Sequence, residues 1–103
     1  MSPPQPDDPA NAPGAVTRVM RIVNEKGLHA RASAKFVQTV EKFDAAVTVS
    51  RNGESVGGDS IMGLMMLAAG IGTSITVAAT GPQAHEVIAA LDALVSSRFG
   101  EEE

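Results

Sequence analysis

Cysteine, tryptophan and tyrosine are absent from this chain, and phenylalanine occurs only three times in 103 residues. Without cysteine there is no disulfide and no thiolate metal site, and two histidines far apart in sequence are poor material for a zinc centre. The scarcity of aromatics removes the platforms on which single-stranded bases stack. Basic charge is also short: 8 Lys and Arg stand against 12 Asp and Glu, a formal charge of −4, which gives no broad attraction for nucleic acid or anionic lipid. No apolar run approaches the roughly 20 residues of a membrane span. The opening MSPPQPDDPANAPGA has neither the basic nor the apolar region of a secretory signal. A cytoplasmic protein is expected, with no metal, no cofactor, no nucleic acid and no membrane insertion.

What is present organises into one domain. Residues 1–15 carry five of the six prolines and almost nothing bulky to bury, so they read as a disordered extension. The folded part spans residues 16–99, and 100–103 form an acidic tail. A β-branched strand runs from Thr17 to Val23. From Ala30 to Phe43, Phe36, Val37 and Val40 fall on one helical stripe. Ala46 to Ser50 alternates at period two, Asn52-Gly53 signals a hairpin, and Glu54 to Val56 returns as its partner. The apolar run from Ser60 to Ala69 reads as a short helix stopped by Gly70 and Gly72, followed by a strand from Ser74 to Ala78. Beyond Gly81-Pro82, Val87, Ile88, Leu91, Leu94 and Val95 mark a long last helix, with Pro82 near its first turn. The order βαββαβα predicts an α+β fold in which three helices cover one face of a four-stranded antiparallel sheet.

Within that frame, KGLHARAS (residues 26–33) puts His29 between a glycine loop and a helix start. The helix dipole and Arg31 both disfavour imidazolium, so the ring is expected to be neutral and therefore nucleophilic. Attack on a phosphoryl group would present an anion to Arg31 and to the unpaired amides of the first turn, Ala30 among them. Gly27 would let the backbone approach without a Cβ. No Asp or Glu is obviously placed to orient the ring. His85, beside Glu86 in the last helix, is expected to be solvated and without a role.

The second helix is more apolar than packing on a sheet requires. If Leu64, Leu67 and Ala68 face the core, then Ile61, Met62 and Met65 are left on another face, a methionine-rich docking patch suited to several partners. Ser60 reads as the N-cap, and a phosphate there would also meet the positive end of the dipole.

GLHAR, the Asn-Gly hairpin and DSIMGLMMLAAGIGTSITV together resemble HPr, the histidine-containing phosphocarrier family of the bacterial sugar phosphotransferase system, over about residues 17–98. The resemblance implies an open-faced β-sandwich. It implies that His29 takes phosphate on Nδ1 from phosphorylated enzyme I and hands it to enzyme IIA components, with Arg31 contacting the phosphate. It also implies that Ser60 matches a serine phosphorylated by HPr kinase/phosphorylase and that Ile61, Met62 and Met65 match the partner-binding patch; a monomer is expected, though nothing in the sequence sets the oligomeric state. Ala32 stands where the family usually has proline, which releases a fixed φ in the first turn while keeping a good helix former. Two other readings stay open. One is a nitrogen-type or regulatory paralogue that acts by phosphorylation-dependent binding. The other, a hydrolase or metal protein built on His29, is disfavoured by the lack of a nearby carboxylate pair, Cys or clustered His.

Overall fold

The structure is a computed structural model and describes residues 14–101; the proline-rich extension up to residue 13 and the last two residues of the acidic tail lie outside the described residues. The elements run β1 (Val16–Arg21), α1 (Ala30–Val40), β2 (Ala46–Arg51), β3 (Glu54–Gly57), α2 (Ile61–Met66), β4 (Ser74–Thr80) and α3 (Ala84–Ser96), followed by a single 3-10-type turn at Arg98–Gly100. The strands pair in the order β1-β4-β2-β3, antiparallel throughout. The helices cover one face, and the expected open-faced α+β sandwich is the fold found.

Period-two alternation decides which side chains go inward. Met20 of β1, Val47 and Val49 of β2, and Ile75, Val77 and Ala79 of β4 are buried. Val19, Thr48, Ser50 and Thr76 occupy the alternate positions, where one sheet face meets solvent. The expected stripe of α1, Phe36, Val37 and Val40, is buried against the sheet side, as are Val87, Ile88, Leu91 and Val95 of α3. Leu94 is only partly buried. The hairpin at Asn52-Gly53 has positive φ at both residues, 51° and 82°, as a type I′ turn requires.

Three details depart from the expectation. Helix α1 closes at Val40 and not at Phe43, because the amides of Lys42 and Phe43 turn back to Thr39 and Val40, tightening the last turn. Helix α2 ends before the glycines: Leu67 caps it and Ala68 takes φ 52°, which turns the chain so that Ala69, not Ala68, enters the core. Pro82 lies just ahead of α3, whose N-cap is Gln83.

Candidate functional site

The loop between β1 and α1 is built on a buried asparagine and a glycine. Asn24 is fully buried, and its Nδ2 donates to the Gly27 carbonyl at 2.9 Å. Gly27 has φ 64°, and a Cβ on it would lie 2.4 Å from the Ala69 carbonyl oxygen. That same oxygen accepts the Leu28 amide at 2.9 Å. Gly27 is therefore required because two backbones meet there. It is buried behind the site against the end of α2 and does not line the cleft, so the close approach it permits is to Ala69 and not to a ligand.

His29 is the N-cap of α1, with extended backbone (φ −75°, ψ −178°) and a side chain that makes no capping bond. The first bond of the helix runs from the Ser33 amide to the His29 carbonyl at 2.9 Å, which leaves the amides of residues 30–32 without intrahelical partners. A cleft of about 480 Å3 opens here, lined by Glu25, Lys26, Ala30, Arg31, Lys35 and Glu101 around the imidazole. Arg31 and Ala30 are exposed at the head of the helix. Among the described residues no three His, Cys, Asp or Glu side chains are grouped to hold a metal.

The imidazole does have a carboxylate. Glu101 Oε1 is paired with His29 Nε2, and its other oxygen accepts from Asn24 Nδ2 at 3.0 Å. With Nε2–H donating to a carboxylate, the neutral ring carries its proton there and leaves the Nδ1 lone pair free. The His29 bond, helped by the Asn24 bond and the nearby Lys26 cation, holds the Glu101 carboxyl below its ordinary value of 4.5, against partial desolvation.

The sequence shows no carboxylate placed at the ring and reads residues 100–103 as a tail; the structure instead brings Glu101 to the imidazole, while residues 102–103 lie outside the described residues. After α3, Arg98, Phe99 and Gly100 all take positive φ (60°, 55° and 71°), reversing the chain toward α1. For the two non-glycine residues this costs about 1–2 kcal/mol each. Burying the Phe99 ring, 1% exposed, contributes about 1.5–3 kcal/mol, and Lys35 Nζ donates to the Phe99 carbonyl. The nearest thing to a sequence signal was a lone Phe just past a helix, followed by Gly and Glu.

Ser60 is the N-cap of α2, and its Oγ accepts the Gly63 amide at 3.0 Å. Beyond it, Ile61, Met62 and Met65 are exposed, as expected, and so are Met66 (72%) and Ile71 (56%), which the sequence reading had not included. A smaller depression lined by Lys26, Leu28, His29, Ala68, Ala69 and Gly70 lies between the histidine loop and the residues that follow α2, and none of the exposed patch side chains lines it. His85 is exposed on α3, away from both depressions.

Residues 16–97 match the family model described as "PTS HPr component phosphorylation site". The chain belongs to the HPr family. It is 54% identical over 82 residues to the phosphocarrier protein HPr of Cupriavidus necator, covering 80% of this chain and 92% of that one. It is 49% identical over 84 residues to HPr of Neisseria meningitidis, covering 82% and 94%. Among solved structures, HPr-C-His from Thermoanaerobacter tengcongensis superposes with a TM-score of 0.81 at 40% identity, covering 85% of this chain and 99% of that one. HPr from Bacillus anthracis gives 0.76 at 39%, covering 82% and 99%. The chain is thus an HPr-type phosphocarrier of the phosphotransferase system, and no helix among its described residues is long and apolar enough to cross a membrane.

Proposed function

We propose that His29 accepts a phosphoryl group on Nδ1 from phosphorylated enzyme I and passes it to enzyme IIA components. The observation that carries this reading is the imidazole at the head of α1 with Nε2 engaged by Glu101 and Nδ1 left as its unshared nitrogen. Arg31, Lys26 and the unpaired amides of residues 30–32 offer the cations and donors that a phosphoryl anion needs. Phosphoryl transfer to a ring nitrogen asks little covalent chemistry of the protein and much positioning and charge stabilisation, which suits a small open cleft.

Ile61, Met62 and Met65, extended by Met66 and Ile71, form the docking surface for both partners, because these large apolar side chains stand exposed on and just after the helix that Ser60 caps. Ser60, at its edge, is the site at which HPr kinase/phosphorylase regulates docking. The carrier acts as a monomer, and sedimentation at working concentration tests that against an HPr dimer such as the one solved from T. tengcongensis. Incubation with enzyme I and phosphoenolpyruvate, followed by mapping of the modified residue, is the direct test. One acid-labile, alkali-stable phosphate on His29 is expected; a stable phosphate elsewhere, or none, removes the carrier reading.

A further inference from the structure

We infer that Glu101 is a positioning residue for His29: it fixes the imidazole in the Nε2–H form and compensates the positive charge the ring acquires when Nδ1 is phosphorylated. The inference rests on His29 being the phosphorylated residue. Three observations join in it. Glu101 is bonded to Nε2 by one oxygen and anchored by Asn24 through the other. Asn24 is itself fully buried and tied to the Gly27 carbonyl, so the carboxylate is held from the far side by the loop that carries the histidine. The left-handed turn Arg98–Gly100, pinned by buried Phe99 and by Lys35, delivers Glu101 from the other end of the fold. The carboxylate side chain is 13% exposed and the imidazole 27%, so the pair is partly withdrawn from water, where a charge-assisted bond counts for more.

The chemistry follows from electron counting. The Nδ1 lone pair attacks phosphorus of the phosphorylated donor; the new N–P bond forms as the bond between phosphorus and the donor atom breaks, and that electron pair leaves with the donor. No proton leaves His29. The ring, now substituted at Nδ1 and still carrying Nε2–H, is cationic, and Glu101 faces that charge. In onward transfer the same steps run in reverse and the ring departs as neutral imidazole. A carboxylate that holds one tautomer and balances a developing imidazolium is the role the buried aspartate plays for the histidine of serine proteases. Glu25, Lys26, Arg31 and Lys35 are the other charged groups around the cleft, and the lowered Glu101 carboxyl keeps it anionic throughout the neutral range.

The test uses the full chain with Glu101→Ala and Glu101→Gln, reading imidazole 15N shifts, the rate of phosphorylation by phosphorylated enzyme I, and the melting temperature. In the wild type the 15N shifts should report Nε2–H. Glu101→Ala should mix the tautomers and slow phosphorylation roughly tenfold, about the worth of one charge-assisted contact. Glu101→Gln should recover the tautomer, because its amide oxygen still accepts, yet stay slow for want of charge. Identical 15N shifts and rates in wild type and Glu101→Ala overturn the inference. So does a changed melting temperature with unchanged shifts and rate, which makes the contact structural only. Failure of the wild type to take phosphate on His29 removes the carrier reading and this inference together, whereas failure confined to the variants' shifts and rates removes this inference alone.

Discussion

Arg31 and Gly27 stand two residues either side of His29 and separate what a side chain does from what a backbone does. Arg31 is exposed in the first turn of α1, so Arg31→Ala should leave the melting temperature unchanged. Losing a charge-assisted contact of about 1.5–3 kcal/mol to the phosphoryl group should slow transfer ten- to a hundredfold; full-rate transfer, measured with enzyme I in excess, would mean that the helix amides suffice. Gly27→Ala should do the reverse. Its Cβ would meet the Ala69 oxygen at 2.4 Å with φ fixed at 64°, so the loop must shift or the Leu28 bond to Ala69 must break. Denaturant unfolding should show a loss of about 2–4 kcal/mol. A loss below about 1 kcal/mol would show that the loop yields freely and that the contact between the two backbones is loose.

Among the elements, α2 is the one whose surface exceeds its packing. Only Leu64 within it is buried, and a six-residue helix makes few bonds of its own, so its Ser60 cap matters. Gly63 follows from the same geometry: a Cβ there would sit 2.9 Å from Val56 Cβ and 3.1 Å from Ser60 Oγ. Ser60→Ala should lower stability by about 1 kcal/mol through the lost bond to the Gly63 amide and leave phosphorylation of His29 near normal. Ser60→Asp should keep the fold, since it adds negative charge at the positive end of the dipole, and weaken enzyme I binding. If titration calorimetry gives Ser60→Asp the wild-type affinity, the patch is not the docking face. How legible these elements were in the sequence depends on how local their causes are. Period two in β2, the stripe in α1, Asn52-Gly53 and the surplus of apolar residues in α2 are local patterns, and each is recovered in the fold. The stop of α2 at Ala68 was not, because an alanine gives no hint of a positive φ that its tertiary surroundings impose. His29, Arg31 and Ser60 can be singled out from residue type and helix position, whereas the contacts of Glu101 with His29 and Asn24 cannot, since they form only where chain segments more than 70 positions apart meet.

At the scale of the whole molecule, that meeting ties the site to global stability. The Glu101 carboxyl is lowered in the folded state by its bonds to His29 and Asn24, so the deprotonated form is favoured by folding. Stability from this group is present above the ordinary value of 4.5 and is lost as pH falls below it through the lowered folded value. Unfolding free energies of wild type and Glu101→Gln should therefore differ at pH 7 and converge in that acid window; a difference that stays constant down to acid pH would remove the linkage. The same long-range contact has a meaning during biosynthesis. His29 and Glu101 are 72 positions apart, and at about 5–20 residues per second roughly 4–14 s of translation separate them. For that interval a growing chain carries the histidine without its carboxylate. On the role proposed for Glu101, a polypeptide arrested before the left-handed turn should be phosphorylated about tenfold more slowly than the full chain, because the carboxylate that sets the ring's tautomer is made 72 positions after the histidine.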